Sequence, residues 1–257
     1  MRNIAILALT GWQENLRRRF YLLSLAFAGV FLYLSLILGV LAVEQENRVL
    51  LDFGLGFIEL MGLAGALYGA TTIVLREMET KTVYLVLTRP VGRGEYILGR
   101  FLGLMLSVLA SMALMSAFHL CILWAKGWRG PEPYAAAFLG AYLKVLVTAA
   151  LTTFLAIFSS SALTAGVISG VAWTLGHFLP EIRYLITHGA SRVSIVPLFA
   201  LSYIVPDLQL FNLRDRLAAT SPLAASEAGL AWWVGYAVLY TAVWLALAWG
   251  LLRRKEF

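Results

Sequence analysis

Two ionisable residues stand inside long apolar stretches of this sequence. Glu59 lies in GFIELMGLAGALYGA, and Lys144 lies in AAAFLGAYLKVLVTAA. An ionisable side chain inside a membrane is costly, and such residues mark ion or substrate sites by default. Both side chains are also long enough to extend toward the lipid headgroups from within a span. We favour this headgroup role for each and keep an intramembrane functional role as the alternative.

One helical face carries side chains that bind soft metals. Met112, Met115 and His119 are spaced i, i+3 and i+7, and thioether and imidazole groups suit copper. Methionine is also an ordinary filler of apolar cores. We therefore predict no metal site, with these three residues as the weak candidates.

The sequence lacks the arrangements expected of an enzyme. A serine hydrolase needs a serine beside a base, but the serines at 159–161 and His177 lie at opposite ends of one apolar stretch. No GxSxG, HExxH or GxxxxGK[ST] motif occurs in the sequence. An intramembrane enzyme is therefore disfavoured, and any ATP must be bound by another subunit.

The composition predicts a membrane protein with several spans. Hydrophobic residues make up 61% of the chain and charged residues 13%, whereas soluble domains carry about 25% charged residues. The mean hydropathy is +0.81. The net charge of +6 fits membrane orientation better than nucleic-acid binding.

Six apolar stretches are long enough to be transmembrane helices. They cover residues 21–43, 53–75, 97–124, 135–158, 163–179 and 230–252. The fold class is therefore an all-α polytopic membrane protein, and residues 1–257 form a single transmembrane domain. Lys and Arg counts place both termini in the cytoplasm: twelve basic residues fall on that side, seven on the other, and Lys144 completes the twenty.

Three segments outside the spans have distinct predicted roles. Residues 1–20 carry Ile4, Ala8, Trp12, Leu16 and Phe20 on one helical face, which predicts an amphipathic helix in the membrane interface. Residues 180–229 form an extracytoplasmic loop, in which the short apolar run 194–205 predicts a re-entrant or cap segment.

The third segment is the charged stretch 76–96 between the second and third spans. It mixes acidic and basic residues around a short apolar run, and Pro90 disfavours helical geometry in the residue before it. This pattern predicts a short cytoplasmic helix at the membrane surface.

The same stretch resembles the cytoplasmic loop of type-2 ATP-binding-cassette (ABC-2) permeases. The resemblance is carried by Glu77-x-Glu79-x-x-Thr82, Leu85-Val86-Leu87, Pro90-Val91-x-Arg93-Gly94-Glu95 and Ile97-Leu98-Gly99-Arg100. The sequence departs from the family pattern at Lys81, where glycine is usual, and at Arg100, where lysine is common.

The resemblance implies a permease subunit, most plausibly of an exporter, in a prokaryotic cell membrane. ATP and Mg would be bound by a separate ATPase subunit, and a second permease copy or homologue would complete the transporter. The ATPase would dock on the loop, through Glu77, Glu79, Thr82, Val83, Tyr84, Leu87, Pro90 and Arg93.

Two alternatives stay open. The same fold could transmit force to an extracytoplasmic protein partner, as in metalloenzyme maturation. A secondary transporter is less consistent with the sequence, because such proteins usually carry discontinuous helices and several buried charges.

Overall fold

The computed structural model of the chain contains helices and no strands in the part that it describes. That part comprises residues 2–16, 26, 29–30, 33–34, 37, 46–79, 92–128, 130–159, 161–188, 199, 202–212 and 227–254. The helices are α1 (Arg2–Leu16), α2 (Glu46–Glu79), α3 (Arg93–Ala125), α4 (Pro131–Ser159), α5 (Ala162–His177), α6 (Leu179–His188) and α7 (Glu227–Arg254), with a short 3₁₀ helix at Leu208–Phe211. Helices satisfy every backbone group internally, as an apolar membrane interior requires.

Four of these helices are long and apolar enough to cross a membrane. They are α2, α3, α4 and α7, and the bent pair of α5 and α6 brings the number to five if it is counted as one span. The predicted all-helical polytopic architecture is therefore confirmed in its coarse form. The first predicted span, residues 21–43, falls almost entirely outside the described residues.

The fifth predicted span, 163–179, is not one straight helix. α5 ends at His177, and α6 starts at Leu179 after a bend of 63°. Pro180 supplies a physical reason, because proline lacks the backbone N–H that would continue the hydrogen-bond pattern of α5. The sixteen residues of α5 rise only about 24 Å at 1.5 Å per residue. The predicted loop 180–229 accordingly begins with a helix.

α4 lies at the centre of the bundle. It packs against α2, α3, α5 and α7, and Val145, Val147, Ala149 and Ala150 on it are buried. Small side chains such as those of Ala149 and Ala150 let helices approach closely, which favours helix association in lipid.

α1 packs along the first turns of α3. Gly99 and Gly103 form a small-residue stripe, and a Cβ placed on Gly103 would lie 2.6 Å from the carbonyl oxygen of Ala8. Arg100 Nη1 also donates to Glu14 Oε2 at 3.2 Å across the same interface. The predicted helix near the N-terminus is therefore present, and Ala8 is buried against α3.

The outer face of α1 is also apolar. Ile6 and Leu9 are about half exposed on this isolated chain. Trp12 is partly buried, and the side chains of Leu16 and Phe20 lie outside the described part. An exposed apolar face fits the predicted interfacial location, which stays a prediction.

The close approach of α1 to α3 predicts opposite effects for two equivalent substitutions. Gly103→Ala should lower the thermal unfolding midpoint in detergent, because the new methyl group meets backbone atoms of α1 that cannot move aside. Gly166→Ala on α5 is the matched control, since nothing lies within 4 Å of a Cβ there. The control should be stabilised by up to about 1 kcal/mol, the helix-propensity difference between glycine and alanine. Equal midpoints for the two variants would contradict this packing.

Candidate functional site

Glu59 and Lys144 meet inside the helix bundle. Lys144 Nζ on α4 donates to Glu59 Oε2 on α2 at 3.1 Å, and their side chains are 3% and 7% exposed. Neither side chain extends outward, so the favoured headgroup role is wrong for both. The reason lies in their pairing: each charge offsets the cost of removing the other from water.

His177 is the third member of this cluster. Its Nε2 lies 3.2 Å from Lys144 Nζ and 3.5 Å from Glu59 Oε1. Its Nδ1–H donates to the carbonyl of Trp173 at 2.9 Å, so in the neutral ring Nε2 accepts from Lys144. We call Glu59, Lys144 and His177 the buried charge cluster.

In the sequence, His177 is a candidate only for a catalytic base, and its contact with Glu59 and Lys144 is not predicted. The available signal was its position three residues before Pro180, at a predictable helix break. A broken helix beside buried charges is typical of functional sites in membrane proteins.

One oxygen of the cluster has an unused hydrogen-bonding capacity. Among the described residues, Glu59 Oε1 accepts no hydrogen bond although it is buried. A protonated His177 could donate to it, but it would then stand beside the ammonium of Lys144. His177 Nε2 lies within 3.5 Å of both Lys144 and Glu59. The side chain of His177 is 23% exposed, so it is the member nearest the surface.

The buried charge cluster also joins three helices. Glu59 belongs to α2, Lys144 to α4 and His177 to the end of α5. The 3₁₀ helix contacts the end of α5 beside the cluster: Gln209 Nε2 donates to the His177 carbonyl at 3.1 Å. A movement of any one helix must therefore change contacts in the cluster.

α2 connects this cluster to the predicted docking loop without a break. Glu59 and Glu79 are twenty residues apart on one helix, a rise of about 30 Å. Glu77 and Glu79 form its last turn. Thr82, Val83, Tyr84, Leu87 and Pro90 lie outside the described residues.

Arg93 begins α3 on the far side of that loop. Its Nη1 donates to the carbonyls of Leu252 at 2.9 Å and Arg253 at 3.1 Å, at the end of α7. Nη1 of the Arg93 guanidinium is therefore already hydrogen-bonded within this chain. A role of Arg93 in binding another subunit stays a prediction.

His119 lies between two polar partners. Nε2–H donates to the carbonyl of Leu50 at 3.2 Å, and Nδ1 lies at hydrogen-bond distance, 3.0 Å, from the Tyr134 hydroxyl. A metal would have to displace one of these partners. Met112 and Met115 are buried in the core between α2 and α3. In the described part of the chain, no three His, Cys, Asp or Glu side chains form a metal-binding group.

The apolar helices and the buried charges define a multi-pass membrane protein with an internal polar site. The family model described as "ABC-2 family transporter protein" matches residues 13–257. The chain therefore belongs to the ABC-2 family and is a transmembrane permease. The resemblance drawn from the loop is thereby confirmed. No curated protein matches the sequence. Permeases of this family are normally non-enzymatic subunits that partner with an ABC ATPase subunit.

The geometry predicts that the members of the buried pair depend on each other. Glu59→Gln should destabilise the protein by about 3–5 kcal/mol, because it leaves the Lys144 charge buried and unpaired. Lys144→Met should act similarly. The double variant should be less destabilised than the sum of the two, as read from unfolding in detergent and a double-mutant cycle.

Arg48→Gln is the matched control for this measurement. Arg48 pairs with Asp52 at 4.0 Å on the same helix, but both side chains are at least half exposed. Its loss should cost at most about 1 kcal/mol. Additive effects of Glu59→Gln and Lys144→Met would contradict the coupling within the cluster.

Proposed function

We propose that this chain is the permease subunit of an ABC exporter in a prokaryotic cell membrane. ATP and Mg are bound by a separate ATPase subunit, which docks on the cytoplasmic loop 76–96. A second copy of the chain or a homologue completes the membrane part. Both termini lie in the cytoplasm.

The observation that carries this proposal is the continuity of α2. Its apolar window, Arg48–Thr72, is followed by further helical residues up to Glu79. The helix therefore extends about 10 Å beyond its apolar part, at 1.5 Å per residue. A displacement of the loop is passed along this helix because a helix is stiff along its axis.

The buried charge cluster is where that displacement has its largest energetic consequence. The cluster ties α2 to α4 and to the bent end of α5. A shift of α2 by one or two ångströms would move Glu59 away from Lys144 Nζ and His177 Nε2, which lie 3.1 Å and 3.5 Å from its carboxylate oxygens. Charge pairs in a low-dielectric interior are sensitive to such shifts. His177 lies within reach of both Lys144 and Glu59, so we propose two arrangements that differ in which of them His177 contacts. We propose that these arrangements correspond to two states of the transport cycle.

The docking step predicts a selective loss of the ATPase. Glu77→Arg together with Glu79→Arg should lower the amount of ATPase that co-purifies with the tagged chain by at least about tenfold, which corresponds to 1.4 kcal/mol. The reason is that both carboxylates of the proposed docking surface change sign. Co-purification and transport into inverted membrane vesicles measure the two consequences.

Glu181→Arg serves as the control for charge reversal. Glu181 is exposed in the first turn of α6, on the side proposed to be extracytoplasmic. It should leave the ATPase bound. Full retention of the ATPase by the double variant at 77 and 79 would overturn docking on this loop.

A maturation role would produce a different pattern. ATP hydrolysis would then depend on the same docking loop, while an extracytoplasmic protein would co-purify and no solute would accumulate in the vesicles. That pattern would replace the exporter proposal with the force-transmitting alternative.

A further inference from the structure

The end of α7 is joined to the start of α3 by one arginine. Arg93 Nη1 donates to the carbonyls of Leu252 and Arg253, at 2.9 Å and 3.1 Å. Both belong to the last turn of α7, whose carbonyls have no partner within the helix. This end of a helix also carries partial negative charge. Arg93 therefore supplies both the missing donors and a complementary charge.

The surrounding contacts hold this joint closely together. A Cβ on Gly94 would lie 3.3 Å from Trp249 Nε1, so a side chain here would require Trp249 to shift by a few tenths of an ångström. The guanidinium of Arg253 lies over the Trp249 ring, 4.9 Å from its centroid. Leu252 beside it is buried. We call Arg93, Gly94, Trp249, Leu252 and Arg253 the α3–α7 joint.

The position of Arg93 on α3 is itself fixed. Glu95 Oε2 accepts from the backbone N–H of Gly92 at 3.3 Å, a bond that stabilises the first turn of the helix. Asn3 Nδ2 of α1 donates to the same oxygen at 3.3 Å. Arg93, the first residue of α3, is therefore held in place near the end of the proposed docking loop.

The N-terminal half of α7 contacts residues 202–212, which include the Gln209 that binds the His177 carbonyl. The Tyr240 hydroxyl donates to the Ile204 carbonyl at 2.6 Å, and the backbone N–H of Asp207 donates to the Tyr236 hydroxyl at 3.2 Å. Trp233 and Ala237 pack with Leu208 and Phe211 of the 3₁₀ helix. Tyr236 and Leu252 are sixteen residues apart, a rise of about 24 Å.

We propose that Arg93 is a positioning residue that makes α7 move with the docking loop, and that α7 carries this movement to residues 202–212. The inference rests on the proposed function, because it needs a loop that an ATPase displaces. α7 lies some 160 residues from the loop along the chain, so the movement reaches it through noncovalent contacts. Gln209 then links residues 202–212 to His177. Movement of the docking loop is thereby transmitted to the buried charge cluster along two helices, α2 and α7.

Arginine suits this joint better than lysine. One terminal nitrogen of its planar guanidinium donates to both carbonyls, whereas lysine presents a compact charge without that fixed geometry. The conservative variant Arg93→Lys keeps the charge but replaces the planar guanidinium with a compact ammonium. Its effect separates geometry from charge.

The test measures the movement of α7 in the complex with the co-purified ATPase. Spin labels are placed at Val238 of α7 and Val171 of α5, which are both exposed, in a Cys121→Ser background. Distances are recorded without nucleotide and with ATP and Mg trapped by vanadate. We expect the Val238–Val171 distance to shift on trapping with Arg93 present, to lose most of the shift in Arg93→Gln and to keep part of it in Arg93→Lys.

Arg254→Gln is the matched control, because it removes the same charge from the exposed end of α7. It should retain the shift. ATPase co-purification with Arg93→Gln is measured in parallel, because the movement of α7 is compared only in complexes that retain the ATPase.

Three results would overturn the inference. The first is an undiminished shift in Arg93→Gln, and the second is no shift with Arg93 present although the ATPase is bound. The third is a loss of ATPase binding in Arg93→Gln, which would assign Arg93 to docking. Failure of the docking proposal itself appears separately, as retention of the ATPase by the Glu77 and Glu79 variant.

Discussion

The cost of burying a charge in an apolar bundle governs much of this structure. Glu59 and Lys144 are each surrounded by aliphatic helices, and neither could remain ionised there alone. Their 3.1 Å contact fixes the register of α2 against α4, because a slip of one residue would leave both charges unpaired. Such a pair contributes less to net stability than to the choice of one arrangement over others. His177 adds a second partner and brings the end of α5 under the same constraint.

Glycines lie where two segments approach each other at backbone distance. These contacts determine where α1 and residues 202–212 pack on the bundle. At Gly103 a methyl group would meet the backbone of α1, and at Gly176 it would lie 2.7 Å from the carbonyl of Pro206. The first contact seats α1 on α3, and the second seats residues 202–212 on the bend after α5. Both contacts lie at ends of the bundle, so small residues secure the two ends while the charge pair secures the interior.

Two helices, α2 and α7, connect the region of the proposed docking loop with the interior of the bundle. α2 passes from the buried charge cluster to the proposed docking loop, and α7 passes from the α3–α7 joint to the residues that cover His177. A permease driven by a separate ATPase must convert movement at one membrane face into a change near the middle of the membrane. α2, with its polar contact at Glu59, and α7, with polar contacts at Tyr236 and in its last turn, provide a physical route for it.

The sequence by itself determined the class of protein, since apolar run lengths and charge content depend on composition and local order alone. The loop pattern from Glu77 to Arg100 was also sufficient to indicate the family, because that pattern is contiguous in the sequence. Only the tertiary structure decided that Glu59 and Lys144 face each other, that His177 joins them, and that Arg93 holds the end of α7. These contacts join residues 33 to 160 positions apart, and side chains so far apart in the chain meet only after helix packing sets depth and rotation. Burial then reversed the expectation for the two charges: a long side chain near a span end can reach the headgroups, but a paired one is held inside.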